Sequence, residues 1–186
     1  MIKIRNIYRL YISILLYVFG LNLTAQNPFI ENKGQFPKQV KAKIKIPSGS
    51  LFIEEGRLIY AFYSGEQLAE VHDLKSPNKK IEAHSYVMDF VNSRTDILTE
   101  LSEESKYYEN YFLGDKSTWA TNVNSYKLLY QHNIYNGIDI QYYVYNDKLK
   151  YDFIITPNVA TKAIKIKYKG MEKIKLEAGN LHITTS

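Results

Sequence analysis

Ile138-Asp139-Ile140-Gln141-Tyr142-Tyr143-Val144-Tyr145-Asn146-Asp147-Lys148-Leu149-Lys150-Tyr151-Asp152-Phe153-Ile154-Ile155 is the stretch that decides the fold. Asn146-Asp147 suits a two-residue hairpin turn. Pairing Tyr145 with Lys148 then sets Ile138, Ile140, Tyr142 and Val144 opposite Ile155, Phe153, Tyr151 and Leu149, an apolar or aromatic row throughout. The other face carries Asp139, Gln141, Tyr143 and Tyr145 against Ile154, Asp152, Lys150 and Lys148. A slip of one residue would mix the two rows, so burial of one face specifies the register.

The same period of two recurs on both sides. Ala42, Ile44 and Ile46 alternate before the turn Pro47-Ser48-Gly49. Leu51–Ile53 and Leu58–Tyr63 follow, closed by Glu55-Gly56 and Ser64-Gly65. Residues 75–80 read as a polar loop, and residues 85–92 as a strand with Tyr86, Met88 and Phe90 on one face. Residues 107–113 are aromatic-rich and end at Gly114-Asp115. Ile164, Ile166 and Tyr168 alternate with Lys165, Lys167 and Lys169, lysines that suit a solvated face or a guarded edge. Two short runs around Ile174 and Ile183 flank Ala178-Gly179-Asn180. Residues 96–109 carry Leu98, Leu101 and an acidic cluster, and read as one helical turn or a loop. Trp119 reads as a core anchor. Short strands at this spacing, punctuated by Gly and Pro, predict an all-β fold: an antiparallel β-sandwich of short strands and hairpins, incomplete at its C-terminus.

The first 25 residues differ in kind. Lys3, Arg5 and Arg9 precede an apolar run from Leu10 to Leu23, and Thr24-Ala25-Gln26 follows. This is the order of a secretory signal peptide. Its apolar run is shorter than the roughly 20 residues of a spanning helix. The reading is a signal peptide at 1–25 and a secreted β domain at 27–186, with membrane contact only through the uncleaved leader. Removing the three leader cations from the 24 basic residues leaves 21 against 19 acidic, a net of +2. So balanced a chain gives no argument for nucleic-acid binding. The absence of cysteine excludes disulfides, thiol catalysis and thiolate-held metals.

No motif names a reaction. The four histidines show no ligand spacing, no G-x-S-x-G elbow occurs, and no phosphate loop or dinucleotide fingerprint is present. No catalytic residue, metal or cofactor is assigned. Asp139 and Asp152 are the best acidic pair, diagonal neighbours on the polar face at a spacing compatible with glycoside hydrolysis or a calcium ion. Tyrosine is abundant, with 17 copies. It fills β faces, but an exposed ring also suits sugar binding, with Tyr143 and Tyr145 the candidates.

Four ordered blocks carry a family resemblance. Phe29–Phe36 resembles F-x-E-N-x-G-Q. Residues 111–119 are similar to N-Y-F-L-G-x-x-x-x-x-W. Tyr135–Tyr143 is similar to Y-P-G-I-D-x-x-Y-Y, with Asn136 in place of the proline. Residues 149–153 are similar to L-E-Y-D-F. Together these blocks resemble the uncharacterised N-terminal domain of secreted bacterial proteins with seven-bladed β-propeller (SBBP) repeats, many of which carry gliding-motility sorting domains. The resemblance implies a secreted or cell-surface β module that continues into further strands and has no established catalytic residues. Its expected role is adhesion, surface assembly or support of an adjacent propeller, with other surface proteins or glycans as partners. Carbohydrate binding through exposed tyrosines and polysaccharide hydrolysis are the alternatives. Within these blocks Asp139 and Asp152 have a structural reading too, as acceptors for loop N–H groups.

Overall fold

The computed structural model describes residues 28–72, 80–112, 114–146 and 148–185. The expected leader at 1–25, most of the 75–80 loop, Leu113 and the turn residue Asp147 lie outside these. In chain order the elements are β1 (Phe29–Glu31), β2 (Val40–Ile46), β3 (Gly49–Glu54), β4 (Arg57–Tyr63), α1 (Gly65–His72), β5 (Ala83–Phe90), β6 (Leu98–Tyr111), β7 (Ala120–Tyr135), β8 (Ile138–Tyr145), β9 (Lys148–Ile155), β10 (Ile166–Lys169), β11 (Lys173–Glu177) and β12 (Asn180–Thr184). The fold is all-β and antiparallel, as the alternation predicts. One 10-stranded sheet runs β10-β5-β4-β3-β2-β1-β7-β8-β9, with β6 also on β7, and β11–β12 form a separate hairpin.

The β8–β9 register is the one expected, from Tyr145 opposite Lys148 to Ile138 opposite Ile155. Ile138, Ile140, Tyr142 and Val144 are buried, and Leu149, Tyr151, Phe153 and Ile155 pack against them. Ala42 and Ile44 on β2, Leu51 and Ile53 on β3, Leu58 on β4, and Met88 and Phe90 on β5 complete the same core. Each such side chain, taken fully from water, stabilises the fold by roughly 1.5–3 kcal/mol before chain entropy is set against it.

Layering follows from how β7 is used. Tyr126 pairs with both Glu104 of β6 and Phe29 of β1, while Leu128 pairs with both Ser102 of β6 and Tyr143 of β8. β6 therefore holds one edge of β7, and β1 and β8 share the other. The sheet divides there into two arms and curls into a half-barrel. Along the strand path a flat sheet would set β5 and β9 roughly 33 Å apart, at about 4.8 Å per strand. Instead the Phe90 ring meets Phe153 and Tyr151 edge-on, with centroids 6.0 and 6.4 Å apart.

Polar bonds tie the arms at two levels. Gln131 of β7 is fully buried. Its Nε2 donates to the Glu54 carbonyl at 2.7 Å, and its Oε1 accepts from the Tyr142 hydroxyl at 3.3 Å. The Gly56 N–H reaches the same Oε1 at 3.4 Å. The Tyr135 hydroxyl lies 3.1 Å from the Val91 carbonyl and 3.2 Å from that of Lys165.

Two expectations are corrected. Residues 96–109 are neither helical turn nor loop: from Leu98 onward they belong to β6, which pairs with β7 from Leu98–His132 to Tyr111–Ala120. Glu103 sits at φ 56, and the pairing is irregular after Glu104, so long-range pairing overrides a polar segment whose alternation is broken. Trp119 is 43% exposed rather than a core anchor. It closes the bend just before β7, and burial begins at the next residue, Ala120.

Candidate functional site

The opening block of the family resemblance builds a loop clamp. Asn32 Nδ2 donates to the carbonyls of Phe36, Pro37 and Val40, while its Oδ1 accepts from the N–H groups of Gly34 and Phe36. Gln35 Nε2 donates to the Glu31 carbonyl at 2.6 Å, and Glu31 Oε1 accepts from the Asn124 N–H at 2.8 Å. Gly34 adopts φ 104, which a side chain would resist. These residues fasten β1 to β2 and β7, so their chemistry is consumed by the fold.

The candidate acids lie on the outer face of the β6–β9 layer. Glu100, Tyr130, Gln141 and Asp152 stand opposite one another across four successive strands. Asp139 faces Ile154, which makes Asp139 and Asp152 diagonal neighbours, as the hairpin register implies. Gln141 Nε2 donates to the Tyr130 hydroxyl at 2.8 Å. The Asp152 carboxylate near the Tyr143 hydroxyl favours its protonated form and raises the tyrosine pKa. Tyr145 shares this face at the end of β8 and is 59% exposed.

His132 joins the group from β7. Its ring stacks on Tyr130, 5.8 Å between centroids and 5° between planes. Nδ1 lies 3.2 Å from Asp139 Oδ2, and Nε2 lies 3.2 Å from Glu100 Oε2. Asp139 Oδ1 accepts from the Asn133 N–H at 2.7 Å. Asn133 sits at φ 58 where the β7–β8 register shifts, so Asp139 holds a bulge. That is the structural role its place in the family block allows.

Burial pulls the His132 pKa down, but hydrogen bonds to Asp139 and Glu100 outweigh it and the net shift is upward. A raised folded value means that the protonated ring stabilises the fold below the ordinary histidine pKa. This contribution fades as pH rises through the folded value. The ring is a third exposed, so the gain is small, about 0.5 kcal/mol. His132→Gln should therefore lower the melting temperature more at pH 5.5 than at pH 8.5. A gap that is constant or grows with pH would contradict the assignment.

Sequence reasoning brings Asp139, Asp152, Tyr143 and Tyr145 to one face, and the structure sets them there. His132, Glu100 and Tyr130 are missed, because only the β6–β7 pairing delivers them. Surface concavities of about 440, 490 and 520 Å³ lie near Arg57 and Asp89, near Asn32 and Phe36, and near Phe62 and His84, and none includes the four candidates. In the first, Arg57 and Lys169 both bond Asp89 at 2.6 and 2.5 Å. Burial favours the neutral acid there, but the two cations prevail and hold Asp89 below its ordinary pKa. This group clamps β4, β5 and β10. Among the described residues no cluster of three His, Asp or Glu side chains is arranged to hold a metal ion.

Comparison with curated proteins finds no match, and comparison with solved structures finds none. Residues 29–186 match the sequence model of a family described as "Domain of unknown function (DUF7948)", and the chain belongs to that family.

Proposed function

We propose that the chain is a non-catalytic, exported β module that serves adhesion or assembly at the cell surface, beside a larger partner such as a propeller. The observation that carries this reading is the use made of the acids. Asp139 is occupied by His132 and the Asn133 N–H, and Asp152 stands in register with Gln141, near the Tyr143 hydroxyl whose proton it favours, on an outer sheet face. Carboxylates engaged in this way are structural acceptors rather than a poised acid and base. The leader read at residues 1–25 supports export, and the four sequence blocks support the association with repeat-bearing surface proteins.

The test is incubation of the protein with a panel of cellulose, xylan, chitin, laminarin and pectin, followed by reducing-end assay. No release is expected from the parent protein, nor from Asp139→Asn or Asp152→Asn. Release by the parent that either substitution abolishes would overturn the reading in favour of a hydrolase.

A further inference from the structure

Three strands end the large sheet, β6, β9 and β10, and two of them are guarded. β6 is broken by Glu103 at φ 56 and by two shifts of register, and β10 is only four residues long. β9 lacks both defences. It runs for eight residues without a proline, a positive φ or a shift of register against β8. Its far edge is open. The Thr156 N–H donates to the Gly137 carbonyl at 3.0 Å, one step beyond the Ile138–Ile155 pair. Main-chain groups alternate in direction along an antiparallel ladder, so Lys148, Lys150, Asp152 and Ile154 spend theirs on β8. Those of Leu149, Tyr151 and Phe153 point away from β8, and among the described residues no other main-chain group pairs with them.

The side chains of this edge complement their own two-fold copy. Leu149, Tyr151 and Phe153 on the inward row are half-buried, whereas Ile138, Ile140 and Tyr142 of β8 are fully covered. On the outward row Lys150 and Asp152 flank Tyr151. Both are exposed, and among the described residues neither forms an ion pair. The hydroxyl of Tyr143 near Asp152 is a neutral group. Two β9 strands laid antiparallel, with Tyr151 opposite Tyr151, set Leu149 opposite Phe153 and Lys150 opposite Asp152, each twice. A slip of one residue would oppose main-chain groups that point in different directions. A slip of two brings Lys150 opposite Lys150 or Asp152 opposite Asp152, and like charges directly opposite repel. Main-chain direction, charge and the apolar row therefore select one register and one occupant.

We propose that β9 pairs with β9 of a second copy of this chain about a two-fold axis at Tyr151, joining two sheets through their open edges. The interface is isologous, so it closes at a dimer. A stable interface takes about 20–30 residues from each side, so a strand of eight gives a weak, reversible one. The pairing uses the edge of β9 and does not rest on the non-catalytic reading of its outer face.

Sedimentation velocity on the protein from about 1 to 500 µM should show a reversible equilibrium of monomer and dimer. Lys150→Glu and Asp152→Lys should each weaken association about tenfold or more, since each places two like-charge pairs in the interface. The double variant exchanges the charges and should restore association to within about threefold of the parent. Both positions are exposed, so far-UV circular dichroism should stay unchanged in all three variants. A monomer throughout the concentration range would overturn the proposal. So would growth beyond the dimer, full association by both single variants, or a double variant as weak as the single ones.

Discussion

Replacing Gln131 with leucine will lower the unfolding free energy by about 3 kcal/mol, although leucine is the more hydrophobic residue of similar size. The side chain is fully buried between the arms and satisfies the Glu54 carbonyl, the Tyr142 hydroxyl and the Gly56 N–H. Leucine leaves these groups in an apolar interior without partners. An orphaned buried polar group costs about 1–3 kcal/mol, while the gain from a more apolar side chain offsets only part of that sum. Urea denaturation should show a lower midpoint at an unchanged slope, the signature of lost stability rather than altered compactness. A midpoint equal to or above the parent's would mean that the strap between β7 and β3 does not exist as described.

Gly49→Ala should be at least as damaging, at about 3 kcal/mol or more. A Cβ on Gly49 would lie 2.0 Å from the Ala61 carbonyl oxygen and 3.0 Å from Phe62 Cα, both main-chain atoms of β4. A flexible side chain could swing aside, but a paired strand cannot move without opening the β3–β4 ladder that runs from Gly49–Phe62 to Glu54–Arg57. Gly65 is the internal control, since it has nothing within 4 Å and begins α1. Gly65→Ala should be nearly neutral in the same thermal or urea melt. Equal losses at both positions would indicate a general effect of glycine replacement and not a close approach of strands.

The strands that the sequence reveals are those with one unmixed face. β8 and β9 are legible because all eight inward residues are apolar or aromatic, and β2 is legible through Ala42, Ile44 and Ile46. β7 stays hidden even though it is the longest strand and the one on which the sheet divides. Two of its inward residues, Ser125 and Gln131, are polar yet fully buried, and Asn133 at φ 58 interrupts the alternation before Ile134 and Tyr135. β6 hides for a different reason. It is a charged edge whose Glu100, Glu103 and Glu104 face water and discourage pairing with other chains.

The outer face divides along the same line. Asp139, Tyr143, Tyr145 and Asp152 share one hairpin, so a period of two suffices to group them. His132 and Glu100 are 32 residues apart and meet through a pairing that neither segment announces locally. Trp119 misleads because its size predicts burial, whereas its position at a strand-to-strand bend exposes it.

Everything rests on the two arms facing each other across one core. The most direct test is a nuclear Overhauser spectrum of protein labelled at phenylalanine and tyrosine. Cross-peaks from the Phe90 ring to both Phe153 and Tyr151 are expected, joining strands that a flat sheet would hold far beyond reach. A Phe153 ring that shows cross-peaks to its β8 neighbours and none to Phe90 would contradict the architecture.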